Sequence, residues 1–216
     1  MPEREEVTLT GEVGALEGLL EHPDRGVPVG GVVVAHPHPL YGGTMVQPVV
    51  HHVARACRHE GLVTLRFNFR GVGASSGSYS GLDEYRDILA ASAYLSERLE
   101  GLPISLCGYS FGAAMSALAA IDGASAAALA LVAFPVHWEE MMPSFFDRLG
   151  LVSAPVLAVC GELDEIAPPA EVEELLRGAG VDPRMVKVPR ADHFFIGLAD
   201  HVGEVVAAFV REVSAR

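Results

Sequence analysis

Short unbroken runs of apolar residues alternate along the chain with longer stretches that read as helices. Two of the runs are VVVA at 32–35 and VLAVC at 156–160, and neither alternates polar with apolar positions. A strand with this pattern is buried on both faces, which is typical of parallel sheets covered by helices. The pattern therefore predicts an α/β fold with a mostly parallel sheet and helices on both faces.

The predicted elements follow one another without an internal repeat or a linker. An opening hairpin and six further runs give strands at residues 7–10, 15–21, 32–35, 62–67, 103–107, 126–134, 155–160 and 185–188. Helices are expected at residues 47–60, 82–100, 112–121, about 169–178 and about 200–213. Residues 70–81, RGVGASSGSYSG, are too rich in Gly and Ser for either element. We expect a single domain over residues 1–216.

Composition and charge narrow the class of protein. Half of the 216 residues are apolar, which predicts a globular chain, and no apolar run reaches the length of a membrane span. The net charge is −13 and the basic residues are scattered, so we expect neither a nucleic-acid partner nor a membrane partner. The N-terminus, MPEREEVTLT, is too polar for a signal peptide, and the expected location is the cytoplasm. We expect a monomer or a small homo-oligomer.

Three cysteines, Cys57, Cys107 and Cys160, match no metal-binding spacing. Two of them lie inside predicted buried strands. We therefore expect buried, reduced thiols with no chemical role.

The stretch LCGYSFGAA, residues 106–114, places Ser110 at the junction of a predicted strand and a predicted helix. A turn that sharp needs Gly108 and Gly112, because a side chain at either position would collide with neighbouring backbone. This Gly-x-Ser-x-Gly pattern is typical of a nucleophile elbow, which makes Ser110 a candidate catalytic nucleophile.

A serine nucleophile needs a base, and the base needs an orienting acid. Where such an elbow works on a parallel sheet, an acid and then a histidine follow later strands. His193, in RADHFF, follows the last predicted strand and is the only histidine between 138 and 200. Asp164, in GELDEIAPP, is the preferred acid over Glu162, Glu165 and Asp192. Glu162 lies too close to the strand end, and Asp192 adjoins the base and points away from it.

The oxyanion of a tetrahedral intermediate needs two hydrogen-bond donors. One is expected from the backbone N–H of Phe111, which follows the nucleophile. The other is expected from the loop HPHPLYGGTM, residues 36–45. Its prolines have no N–H, which leaves His38 and Leu40, and His38 is preferred by position.

Two further patterns suggest cofactors and are set aside. The histidines of HPHP and of His51–His52 have no accompanying acids or cysteines, so no metal is expected, and His36 is expected to brace its loop. The loop RGVGASSG misses the spacing of a dinucleotide fingerprint, because Ser76 stands where the third Gly belongs. We expect no cofactor, and we expect Arg70 to anchor this loop through an ion pair.

The motifs HPHPLYGGTM, LRFNFRGVGASSG, CGYSFGAA, GELDEIAPP and DHFF together resemble a group of small bacterial α/β-hydrolases related to dienelactone hydrolases and acyl-peptidase catalytic domains. The resemblance runs from about residue 30 to the end. It implies an eight-stranded α/β-hydrolase sheet with an antiparallel first pair, and Ser110, Asp164 and His193 as the triad. Dienelactone hydrolases use a cysteine nucleophile, so Ser110 argues against that substrate.

The expected substrate is a small acyl compound. Residues 134–154, FPVHWEEMMPSFFDRLGLVSA, are too short for a full cap. They form either a partial helix packed on the sheet or the lining of an acyl pocket. Residues proposed to contact substrate are Leu40, Tyr41, Trp138, Met141 and Phe194, with Phe195 considered for the same wall.

These observations predict a serine hydrolase, most simply a carboxylesterase or thioesterase for short to medium acyl groups. Within enzymes, the alternative is a peptidase or aminoacyl esterase. Outside enzymes, the alternative is a non-catalytic hydrolase-fold module that binds a ligand or a partner.

Overall fold

Eight strands form one sheet in the spatial order β1-β2-β4-β3-β5-β6-β7-β8. The computed structural model describes residues 3–137 and 143–215. The strands in chain order are β1 Arg4–Gly11, β2 Gly14–Glu21, β3 Gly30–Ala35, β4 Leu62–Phe67, β5 Ile104–Tyr109, β6 Leu129–Val132, β7 Val156–Gly161 and β8 Arg184–Val188. Strands β1 and β2, and β2 and β4, pair antiparallel, and every other pair is parallel.

Within residues 3–137 and 143–215, six helices accompany the sheet. They are α1 Pro48–His59, α2 Tyr85–Arg98, α3 Phe111–Ile121, α4 Pro143–Arg148, α5 Pro169–Gly178 and α6 Ala199–Ser214. Helices α1 and α6 pack on each other, and α2 packs on α3. Strands β3 to β7 are buried at every position, as strands covered on both faces must be. The predicted α/β fold, its eight strands and its antiparallel first pair are confirmed.

The strands differ in burial according to their place in the sheet. β1 lies at one edge and alternates exposed with more buried positions, whereas β3 and β5 lie in the middle and are wholly buried. None of the helices within 3–137 and 143–215 has the length and apolar character needed to cross a bilayer.

Several element boundaries differ from the sequence prediction by one to three residues. Strand β6 is shorter than the expected 126–134, because Ala133 adopts a positive φ of 48° that ends the extended backbone. Helix α2 starts at Tyr85 rather than at 82, since the Glu84 carboxylate accepts from the N–H and the hydroxyl of Ser80 and holds a turn there. Helix α4, together with a 3₁₀ turn at Leu149–Leu151, realises the partial helix expected in residues 134–154, with Phe145 buried.

The antiparallel hairpin β1–β2 is joined to the parallel part of the sheet by buried charge. The Arg66 guanidinium donates to Glu21 Oε2 at 2.8 Å and to the Met45 carbonyl at 2.8 Å. Glu17 accepts from Asn68 Nδ2 at 2.7 Å and from the Ala74 N–H at 2.9 Å. Two carboxylates of β2 therefore hold the chain that leaves β4.

The Gly- and Ser-rich loop of residues 70–81 is anchored by a second buried ion pair. Arg70 Nη2 lies 2.8 Å from Asp87 Oδ1, and the Arg70 N–H donates to Oδ2 of the same carboxylate at 2.9 Å. Both side chains are almost fully buried. The expected ion-pair anchor at Arg70 is confirmed.

Candidate active site

Ser110 lies at the turn between β5 and α3, with φ 55° and ψ −117°. This backbone conformation is rare for a residue with a side chain and needs support from its surroundings. A Cβ on Gly108 would lie 2.0 Å from the Gly112 carbonyl oxygen. A Cβ on Gly112 would lie 2.6 Å from the carbonyl oxygens of both Ala35 and His36. The predicted requirement for glycine on each side of Ser110 is confirmed.

Gly112→Ala is expected to lower the free energy of unfolding by about 3 kcal/mol or more, because the new methyl group meets rigid backbone of β3. Gly178→Ala is the matched control, since a Cβ there has nothing within 4 Å and it ends helix α5. Urea denaturation of the two variants measures the difference. Equal stabilities would show that the turn relaxes around the methyl group.

The side chains of Ser110, His193 and Asp164 form one hydrogen-bonded chain. His193 Nε2 lies 2.9 Å from Ser110 Oγ, and His193 Nδ1 lies 2.9 and 3.0 Å from the two Asp164 oxygens. A carboxylate only accepts, so Nδ1 carries the proton and Nε2 accepts the serine hydroxyl. The arrangement can take a proton from Ser110 and place it on an imidazole that faces a carboxylate.

Asp164 is held by the turn that follows β7. Its Oδ1 accepts from the N–H groups of Ile166 and Ala167 at 2.9 and 2.8 Å, and the side chain is buried. These two donors fix the carboxylate in the direction of His193.

The other acids considered at this position are engaged elsewhere or lie on the surface. Glu162 accepts from the Arg190 N–H, Asp192 accepts from the Phe194 N–H, and Glu165 is exposed. Of the four candidates, the structure brings only Asp164 to the His193 ring.

Tyr109, the residue before Ser110, holds the backbone of His193. Its hydroxyl donates to the His193 carbonyl at 2.9 Å. Burial, with the nearby carboxylates of Asp164 and Asp192, raises the pKa of the Tyr109 phenol, which keeps the donor proton in place. No local pattern in the sequence marks Tyr109 for this contact, which spans 84 residues.

The loop after β3 carries the two N–H groups that could complete an oxyanion site. Leu40 N–H donates to His38 Nδ1 at 3.2 Å, so it is turned into the loop. This leaves the His38 backbone N–H as the better of the two candidates. Phe111 begins α3, ahead of Ala113, whose N–H donates to the Ser110 carbonyl. Helix N-termini present such early N–H groups to anions.

The His38 ring is part of an aromatic cluster with Tyr79. His38 Nε2 lies 2.9 Å from the Tyr79 hydroxyl, and Nδ1 already accepts from Leu40. In a neutral ring, Nε2 must then carry the proton and donate to Tyr79. The His38 ring also lies 5.0 Å from that of Phe111. Tyr79 reaches this site from a distant Gly- and Ser-rich loop, and no local pattern marked it.

His36 braces the base of the same loop, as expected. Its Nδ1 lies 2.6 Å from the Pro37 carbonyl, and its Nε2 accepts from the Phe69 N–H at 3.1 Å. The side chain is fully buried, and burial lowers its pKa from 6.5 to about 4. The neutral ring thus ties the loop after β3 to the segment after β4.

His36 is expected to make the protein less stable as the pH falls from 6.5 towards 4. In this window the unfolded chain binds a proton at His36 and the folded chain does not, so acid favours unfolding. The loss reaches up to about 3 kcal/mol and stops below the folded pKa. Unfolding free energies measured across this window should fall less steeply in His36→Gln. Parallel profiles would contradict the assignment.

A pocket of about 740 Å³ opens in front of Ser110 and His193. Leu40, Tyr41 and Phe194 line it and are largely exposed. The described residues that line it are Pro37, His38, Leu40, Tyr41, Gln47, Tyr109, Ser110, Phe111, Pro135, His137, Ile166, His193 and Phe194.

Three other residues were predicted to contact the substrate, and the structure describes only one of them. Trp138 and Met141 lie outside the described residues. Phe195 is not a pocket wall: a positive φ of 50° turns it inward, where it is 1% exposed and packs near Tyr109.

The cysteines and the metal-ligating types of side chain form no further site in the described residues. The three cysteines are free and buried, as expected, and burial raises the pKa of Cys107 and Cys160 to about 12. Within the described part of the chain, no three His, Cys, Asp or Glu side chains are grouped so as to hold a metal ion.

Comparison with known proteins shows which family the chain resembles. Residues 30–204 match the family model described as an alpha/beta hydrolase domain. A structure described as an alpha-beta serine hydrolase homologue from Coxiella burnetii is 35% identical, with a TM-score of 0.86 over 95% of this chain and 97% of that one. A Xanthomonas campestris structure, described as an α/β serine hydrolase without lid, is 31% identical, with a TM-score of 0.85 over 97% of this chain and 94% of that one.

Sequence comparison agrees. An uncharacterized protein from Rickettsia prowazekii is 28% identical over 198 residues, which are 88% of this chain and 82% of that protein. On the family match and the two structural relatives, the chain belongs to the alpha/beta hydrolase family, among its small lidless members.

Proposed function

We propose that the protein is a serine hydrolase that works through an acyl-enzyme, with a carboxylic ester or thioester of a short to medium acyl group as substrate. The observation that carries the proposal is the continuous chain from Asp164 through His193 to Ser110 at the floor of an open pocket. General acid–base chemistry at a serine needs these groups in hydrogen-bond contact.

In the first half of the reaction, Ser110 Oγ attacks the substrate carbonyl carbon while His193 Nε2 takes the hydroxyl proton. Asp164 stabilises the imidazolium that forms and holds its tautomer. The backbone N–H groups of Phe111 and His38 donate to the oxyanion. The intermediate collapses as His193 gives its proton to the leaving alcohol or thiol.

In the second half of the reaction, a water molecule enters the open pocket and takes the part that Ser110 played in the first half. His193 removes a proton from water, which attacks the acyl carbon, and the proton then returns to Ser110 Oγ. The products are a carboxylic acid and the regenerated serine. No group beyond those of the chain and water is needed to balance either half.

The labelling test uses a fluorophosphonate probe followed by intact and peptide mass spectrometry. The serine oxygen bonds to the phosphorus of the probe and displaces fluoride. This reaction takes place only when the serine hydroxyl is activated. We expect one adduct, on the peptide that contains Ser110, and none in His193→Ala. Folded protein that stays unlabelled would contradict the proposal and favour a non-catalytic binding module.

Acyl chain length is the second expectation. In the described part of residues 134–154, Pro135 and His137 line the pocket, and the helical residues are those of α4 and a 3₁₀ turn. A long alkyl chain gains little where no wall removes it from water, since apolar binding scales with buried area. We expect kcat/KM for four- to eight-carbon 4-nitrophenyl esters to exceed that for the sixteen-carbon ester. Faster turnover of the sixteen-carbon ester in the same detergent would refute this size range.

A further inference from the structure

The walls of the pocket are more apolar than polar, and its described lining contains neither Lys nor Arg. Leu40, Tyr41 and Phe194 supply much of its exposed apolar surface. The sequence of residues 138–142, WEEMM, contains no basic residue either. A carboxylate that enters an apolar pocket loses hydration and needs a cationic or multiply donating partner in return.

The histidines that line the pocket are already engaged. His38 uses both ring nitrogens, with Leu40 and Tyr79, and His193 uses both within the chain to Ser110. His137 Nε2 lies 2.6 Å from Glu171 Oε2, so any positive charge on this ring already faces a carboxylate.

Three carboxylates belong to residues that pair with a lining residue or adjoin one in the chain, and they are called the rim carboxylates. Glu171 reaches it through His137, on one side. Glu165 precedes Ile166, which lines the pocket, and Asp192 precedes His193. All three carboxylates are on exposed residues, so their fields reach a ligand in the mouth of the pocket.

We propose that the site takes acyl groups that are uncharged or positively charged and rejects those that carry a carboxylate. The inference rests on the proposed function, since it concerns the substrate of the same serine. An apolar wall binds the uncharged chain, the rim carboxylates attract a cation, and a carboxylate meets repulsion without a partner.

The expected size of the effect follows from simple electrostatics. One unit charge about 8 Å from another in water changes binding by roughly twofold to threefold. Three such carboxylates together give on the order of tenfold. Raising the salt from 10 mM to 1 M shortens the screening length from about 30 Å to about 3 Å, so the discrimination should largely disappear.

The experiment compares three 4-nitrophenyl esters of similar length: the hexanoate, the hydrogen adipate and the 6-aminohexanoate. At low salt and neutral pH, we expect kcat/KM for the anionic adipate to be at least about tenfold below that of the hexanoate. The cationic ester should equal or exceed the hexanoate. With rising salt, the three values should converge.

Two matched variants locate the charge. Glu171→Gln should raise the adipate-to-hexanoate ratio of kcat/KM by about twofold to threefold. Glu173→Gln, two residues further along α5, removes the same charge from a side chain that pairs with Arg177 instead. It should change the ratio less than Glu171→Gln does. Glu165→Gln removes a second rim carboxylate and should also raise the adipate-to-hexanoate ratio of kcat/KM.

Failure of the proposed function and failure of this inference give different results. If the hexanoate itself is not hydrolysed and Ser110 stays unlabelled, the proposed function fails. If the hexanoate is hydrolysed and the adipate reacts equally well at low salt, this inference alone is overturned. An adipate deficit that does not change with salt would also overturn it, because repulsion by the rim carboxylates would then play no part.

Discussion

Asp164→Asn is expected to lower kcat for a neutral ester by about 10⁴-fold while the protein stays folded. In the native site, Oδ1 of Asp164 accepts two backbone N–H groups and the carboxylate also faces His193 Nδ1. An asparagine oxygen satisfies the backbone donors best, which turns its NH₂ towards His193. Nδ1 must then accept, Nε2 carries the proton, and the ring cannot take the Ser110 proton.

Steady-state kinetics with 4-nitrophenyl butyrate measures this loss, and circular dichroism checks the fold. Glu162→Gln is the matched control, because Glu162 follows the same strand and accepts from the Arg190 N–H, which an amide oxygen can also do. Its kcat should stay within a few-fold of the native value. A loss below about tenfold in Asp164→Asn would mean that another acid orients His193.

His38→Pro should lower kcat by roughly 10²–10³-fold, which is the usual effect of removing one oxyanion donor. The backbone at His38 already has φ −54° and ψ 123°, values that proline adopts and that the following Pro39 permits. The substitution therefore removes the N–H with little change in the path of the loop.

His38→Ala separates the backbone from the ring. It keeps the N–H but deletes the ring that accepts from Leu40 and contacts Tyr79. We expect a loss of kcat well below that of the proline variant, caused by a looser loop. If the two variants lose equal activity, the contribution of His38 lies in its ring, and Leu40 becomes the better candidate donor.

The sheet could be predicted because the apolar composition of its strands indicates that they are buried on both faces. A run such as VVVA has no polar face, so it belongs inside a parallel sheet wherever the chain takes it. The end of β6 could not be predicted, because the backbone turn at Ala133 is set by its surroundings and not by an unusual residue.

The positions of Ser110, Asp164 and His193 could be predicted because parallel strands bring their carboxyl ends to one edge. Each of these residues follows or ends a strand, so strand order is enough to place them together. The contacts around them are different. Tyr79 reaches His38 across 41 residues, and Tyr109 reaches the His193 carbonyl across 84, through packing that no local pattern records.

The hairpin β1–β2 lies outside the residues that match the family model, yet Glu21 balances the buried Arg66 and Glu17 holds Asn68. A chain trimmed to start at Gly30 would lose the carboxylates that bind Arg66 and Asn68 and would expose the edge of β4 that β2 now covers. The limits of a recognisable family region and the limits of a unit that folds by itself are therefore different in this protein. Any shortened version meant to carry the site should retain the hairpin.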